Sequence, residues 1–159
     1  MKKLLCALGC VLACSIAAPT GAQEKPKLAE LTSAELLAKI QSDKKGIVER
    51  SMNLTPEEAK KFWPLYSAFQ RELEAPQREA TLAILDYVAA EATLTDANAK
   101  RIAEQILAAN LKEAQLRQKH FRQLLKVLPA RKAVRYMQIE NKMLAVVRYE
   151  AARAIPLVH

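Results

Sequence analysis

The residues that do chemistry are few in this chain. It has two histidines, His120 and His159, far apart in sequence, and three cysteines, Cys6, Cys10 and Cys14, all near its start. No glycine-rich loop is present to cradle a phosphate, and no serine sits between the glycines of a nucleophile elbow. With no paired nucleophile and base, the expectation is a protein that is not an enzyme. A metal would have to rest on His120, which falls one helical face from Glu113 and would need Met137 or Met143 from a later helix. One histidine without a close second ligand is a weak candidate, so neither a resident metal nor a cofactor is expected.

A denser pattern is basic and apolar. Lys112, Lys119, Arg122 and Lys126 recur at helical spacing on one face, with Phe121 and Leu125 nearby. Such a mixed surface suits weak binding of unfolded chains, whose apolar groups and acidic side chains need no shaped pocket. The same lysines would also serve as solvated stems snorkelling over a core edge.

The elements that must carry these residues read as helices. A single glycine, Gly46, follows residue 21, and Ala, Leu, Glu, Lys, Gln and Arg fill most positions. No segment alternates as a strand does. Three starts repeat one pattern: Leu31-Thr32-Ser33-Ala34-Glu35, Leu54-Thr55-Pro56-Glu57-Glu58 and Leu94-Thr95-Asp96-Ala97-Asn98. In each, the threonine (Thr32, Thr55, Thr95) caps the first free amides, and the residue three later (Glu35, Glu58, Asn98) is placed to reach back.

The pattern predicts helices over Ser33 to Met52, Pro56 to about Glu91, Asp96 to about Leu128, and Pro129 to about Ala154. The second would be about 54 Å long, more natural in an elongated helical hairpin than in a compact bundle. Pro64 and Pro76 lie within it and predict a bend or a local break. Its apolar seam runs through Ala59, Phe62, Tyr66, Phe69, Leu73, Ala80, Ile84 and Tyr87. The third helix carries two apolar stripes, Leu107-Leu111-Ala114-Phe121-Leu125-Leu128 and Ile102-Ile106-Leu116-Leu124-Val127. One partner helix hardly covers so wide an arc, so either the first and fourth helices fold over it or another chain does. The apolar end, Ala154 to Val158, is expected to dock on a neighbouring helix or subunit.

The 159 residues permit one modest domain. Lys2 and Lys3, the apolar run Leu4 to Ala18 and the small residues Thr20-Gly21-Ala22 have the anatomy of a signal peptide over 1–22, cleaved before Gln23. A flexible segment, 23–30, and a helical domain, 31–159, would follow. Cleavage would remove every cysteine and leave 23 basic against 17 acidic residues, a net charge of +6. The minor alternative is a lipid anchor through Cys14, after Val11-Leu12-Ala13. Export removes nucleic acid as the natural partner of a basic surface and leaves lipid head groups, cell-wall polymers and acidic unfolded polypeptides. No later run is long and apolar enough to span a bilayer.

The stretch Leu54-Thr55-Pro56-Glu57-Glu58 with Ala59-Lys60-Lys61-Phe62-Trp63-Pro64-Leu65-Tyr66, the second Leu94-Thr95 start, and the segment from Val127-Leu128-Pro129 to Arg148-Tyr149-Glu150 resemble the Spy/CpxP group of periplasmic stress proteins, marked by LTxxQ motifs. Here Glu58 and Asn98 stand where that motif has glutamine. The resemblance covers about Leu31 to Val158. It implies a bent all-α hairpin pairing into a cradle-shaped antiparallel homodimer in the periplasm. It also implies an ATP-independent holding chaperone for unfolded or misfolded envelope proteins. Regulation of an envelope sensor kinase, or heavy-metal sensing, is the alternative role within the same group.

Overall fold

The computed structural model describes residues 32–158. The expected signal peptide at 1–22, Cys14, the segment 23–30, Leu31 and His159 lie outside the described residues. Within them the chain is all-α: α1 (Ser33–Met52), α2 (Pro56–Ala90), α3 (Asp96–Leu124) and α4 (Ala130–Ala154), with a single 3₁₀ turn at Glu91–Thr93 between α2 and α3. Among the described residues no helix is long and apolar enough to cross a membrane.

Two of the three threonine starts form complete capping boxes. Glu35 and Glu58 each accept the backbone N–H of their own cap, Thr32 and Thr55, at 2.9 and 2.8 Å, while the threonine hydroxyl accepts in return. The third start is a correction: Thr95 accepts the Asn98 N–H, but the Asn98 side chain does not reach back. Its amide is one methylene shorter than the glutamine or glutamate this reach needs.

α1 contains a kink that periodicity does not reveal. Asp43 leaves the helical region (φ −150°, ψ 53°), and its Oδ1 accepts the Gly46 N–H at 2.8 Å, so the second half of α1 begins with its own aspartate cap. Gly46 is buried there, and a Cβ on it would run into the Asp43 carboxylate. α2, by contrast, continues as one helix through Pro64 and Pro76, so of the expected bend or local break the break does not occur. Pro76 is among the buried residues of α2, and its ring leaves one backbone hydrogen bond of the helix unmade. α3 stops at Leu124, four residues earlier than expected. Lys126 and Val127 donate three residues back, to Gln123 and Leu124, and tighten the chain into the turn that leads to α4.

α2 and α3 form an antiparallel hairpin. Lys119 pairs with Glu72 at 2.9 Å, Lys112 with Glu79 at 2.7 Å and Arg101 with Asp86 at 4.0 Å, one pair about every two turns along a single edge. α4 runs antiparallel to α1: Lys44 pairs with Glu140, Arg135 donates to the Ser51 carbonyl at 2.6 Å, and Lys132 donates to the Asn53 carbonyl at 3.0 Å. Two cations from the first turns of α4 therefore satisfy the carbonyls at the end of α1, which closes on Asn53 in the left-handed region (φ 47°). Lys132 also pairs with Glu58, so the residue completing the α2 capping box ties α4 to the same corner.

The core sits where all four helices meet. Tyr136 of α4 is fully buried and lies edge-on to Phe62 and Tyr66 of α2 and His120 of α3, with ring centroids 5.2, 6.2 and 5.5 Å away. Ile47, Val48 and Met52 of α1, Leu73 of α2 and Leu124 of α3 are buried with them. Each such side chain contributes about 2 kcal/mol by leaving water. Glu140 is buried to 1% exposure, and it is matched by Lys44 at 3.0 Å, by the Tyr136 hydroxyl at 3.0 Å and by the Gln70 amide at 3.2 Å. A buried carboxylate is tolerable only when its lone pairs are met in this way. Burial and the Glu140 charge push Tyr136 far above the usual phenol range, so it remains a donor. A smaller cluster, Ala83, Tyr87 and Ile102, lies near the turn between α2 and α3.

The docking expected of the C-terminal end is met in part. Ile155 packs on the Ala83-Tyr87-Ile102 cluster, and the Tyr87 hydroxyl donates to the Pro156 carbonyl at 2.8 Å. Leu157 and Val158 remain exposed.

Candidate functional site

α3 is the helix on which the sequence concentrates its apolar surplus, and the structure divides its two stripes. Ile102 and Leu124 of the second stripe are buried, with Ala109 between them. The residues that begin the first stripe point the other way: Leu107 is 67% exposed and Leu111 60%, while Leu125, just past the helix end, is 44% exposed. α1 and α4 do fold over the hairpin, but on the side that holds Phe62, Tyr66 and His120, so Leu107, Leu111 and Leu125 stay uncovered, whereas Leu128 at the end of the same stripe is buried. Leu107 and Leu125 are separated by about 27 Å at the helical rise.

The four expected cations do not act as one group. All are exposed, but Lys112 and Lys119 are committed to Glu79 and Glu72 across the hairpin. Arg122 in the last turn of α3 and Lys126 in the following turn make no ion pair with any described residue. Lys126 lies beyond the end of α3, so the face read from helical spacing ends at Arg122 and continues as a turn. Phe121 is half-buried beside the exposed Leu125. The face is thus apolar along α3 and positively charged at its C-terminal end.

Sequence reasoning missed the exposed apolar residues of α2. Leu82 and Leu85 are each more than half exposed, and Val88 is 44% exposed, whereas the expected seam residues Ala80 and Ile84 are only partly buried and Ala83 takes the buried position. The run Leu82-Ala83-Ile84-Leu85 is apolar on every side of the helix, which was the available signal that one side would be left over. Arg131 and Val134, both exposed at the start of α4, add a further cation and apolar group after the α3 turn.

His120 has an interior environment. It is 2% exposed, its ring stacks on Phe69 at 4.0 Å with the planes 1° apart, and neither ring nitrogen has a hydrogen-bond partner. Burial pushes its pKa down to about 4, with the Glu72 charge opposing. Glu113, the ligand the metal reading needs beside it, is occupied by Arg117 at 2.7 Å and Arg148 at 3.3 Å. Among the described residues no three His, Cys, Asp or Glu side chains converge as a metal site would require. The pairing of His120 with Glu113 as a ligand set is therefore not assembled.

No family model, no curated protein and no solved structure matches the chain.

Proposed function

We propose that this is an exported holding protein of the Spy/CpxP type, acting in the periplasm without ATP or a cofactor and binding unfolded or misfolded envelope proteins. The observation that carries this reading is the uncovered stripe of Leu107, Leu111 and Leu125 with Arg122 and Lys126 at its end. A long apolar strip without a closed pocket has no shape to select one ligand, and neighbouring positive charge favours acidic segments and raises encounter rates. The resemblance of the Leu54 to Tyr66 and Leu94-Thr95 segments to that group supports the same role. A homodimer belongs to this proposal, and a sensor kinase is the partner in its alternative, regulatory form.

The test is light scattering from a denatured model protein diluted into buffer with the protein present and ATP absent. Suppression of scattering is expected. It should weaken several-fold when Leu107→Ser and Leu111→Ser are combined, and more modestly, and only at low salt, with Arg122→Glu and Lys126→Glu. Lys112 and Lys119 are unsuitable for this test, because a glutamate there would face Glu79 or Glu72 and loosen the hairpin itself. No suppression at several-fold molar excess contradicts the holding role and favours an adaptor with one stoichiometric partner.

A further inference from the structure

A line of residues runs along α2 on the side opposite its buried seam, at positions 60, 64, 67, 71, 75, 78, 82, 85 and 89, and every one of them is exposed. At the helical rise it is about 44 Å long. Lys60, Arg71 and Arg78 are its charged members, and Leu82 and Leu85, 55% and 57% exposed, are its large apolar ones. The rest are small or uncharged, so the line holds no Asp or Glu. Its cations lie toward the start of the helix and its leucines toward the end.

Most acids of α2 are committed away from this line. Glu72, Glu79 and Asp86 meet Lys119, Lys112 and Arg101 of α3, and Glu58 meets Lys132 of α4. Lys60, Arg71 and Arg78 make no ion pair with any described residue. The Lys119–Glu72 pair places Arg122 of α3, also unpaired, within a turn of Arg71 along the hairpin. These four cations outnumber the two exposed acids that flank the line, Glu57 and Glu74. The bare side of α2 is thus positive over its first half and apolar over its second.

We propose that this face of α2 seats the protein on an anionic phospholipid bilayer. The helix lies on the surface with its leucine end deeper, so that Leu82 and Leu85 enter the boundary between head groups and acyl chains while Lys60, Arg71 and Arg78 meet lipid phosphates. Arg71 and Arg78 stand about 10 Å apart and Lys60 about 16 Å from Arg71 at the helical rise, too far to grip one small anion. A layer of mobile head groups meets charges at any spacing, and hydrocarbon just beneath it takes exposed leucines without a pocket. The docking uses no leucine of the α3 stripe and does not need the holding role, so either can fail without the other.

Co-sedimentation with vesicles tests the assignment, using the chain from Gln23 onward so that the apolar run Leu4 to Ala18 does not itself enter lipid. Vesicles of phosphatidylglycerol mixed into phosphatidylcholine are compared with phosphatidylcholine alone. Binding to the anionic vesicles is expected, roughly tenfold tighter than to the neutral ones and weakening as salt is raised. Arg71→Gln with Arg78→Gln, and separately Leu82→Gln with Leu85→Gln, should each reduce it several-fold. All four side chains are exposed, so helix content should hold in both variants, as should the suppression of client scattering. No binding, equal binding to the two kinds of vesicle, or binding that neither pair of substitutions changes would overturn the proposal. Scattering suppression lost in the α2 variants would overturn it as well, because the line would then serve a polypeptide.

Discussion

His120 shows how one side chain can be essential to packing and poorly suited to chemistry. Its ring fills the space between Phe69 and Tyr136, and the cost is two buried nitrogens without partners. Because its folded pKa, about 4, lies below the ordinary 6.5, the unfolded chain binds the extra proton first. Stability is therefore full above about pH 6.5 and falls as the pH drops toward 4. The loss from this residue is about 2 kcal/mol once the shift is discounted for solvent screening near the exposed Glu72–Lys119 pair. Urea unfolding at pH 7 and pH 4 should show a smaller acid loss in His120→Phe than in the parent, with His120→Gln as a second variant if phenylalanine packs badly. An identical acid loss in all three would contradict this account. The sequence marked His120 as the one histidine of interest, but not that its neighbours would be aromatic rather than ligating, because Phe69 and Tyr136 reach it from other helices.

At the scale of elements, the starts of α1, α2 and α3 were legible, as was most of the buried seam of α2, but the kink in α1 and the choice of covered face on α3 were not. Thr32, Thr55 and Thr95 announce their helices because capping is local, settled within three residues. The kink at Asp43 escaped because the apolar period continues across it. Its trace is Asp43-Lys44-Lys45-Gly46, an aspartate three residues before the only glycine in the domain. That pairing makes a non-additive prediction. Gly46→Ala alone should lower the melting temperature by several degrees, since its Cβ displaces the Asp43 carboxylate from the Gly46 N–H. In an Asp43→Ala background the same change should cost less or even stabilise, because alanine is the better helix former once the clash is gone. Equal effects in both backgrounds would show that the Asp43 cap does not govern this kink. The choice between the two α3 stripes was equally illegible. Both are rich in large apolar side chains, and only contacts with residues of other helices, such as His120 on Phe69, decide which one is covered.

The whole molecule has a large core where four helices meet and a small cluster near the α2–α3 turn that depends on the returning C-terminal end. Ala83, Tyr87 and Ile102 are few, and Ile155 and the Pro156 carbonyl supply part of their cover. Regions with little buried area open first, so removal of residues 155–159 should raise amide exchange through residues 83–102 while leaving the Phe62–Tyr136 region protected. Uniform protection before and after truncation would contradict that division. The same arrangement explains why the outer face of α3 is left bare: α1 and α4 are committed to the opposite side by Glu140, Tyr136 and the Ser51 and Asn53 carbonyls. The holding role proposed for this bare face requires that it contact unfolded chains. It is tested most directly by photo-crosslinking, with benzoylphenylalanine in place of Leu111 on the stripe or of the exposed Gln138 on α4, and a reduced, unfolded model protein as client. Crosslinks from position 111, absent or several-fold fewer from 138 and lost when the client is folded, are the predicted result; equal crosslinking from both positions, or none from 111, would contradict it.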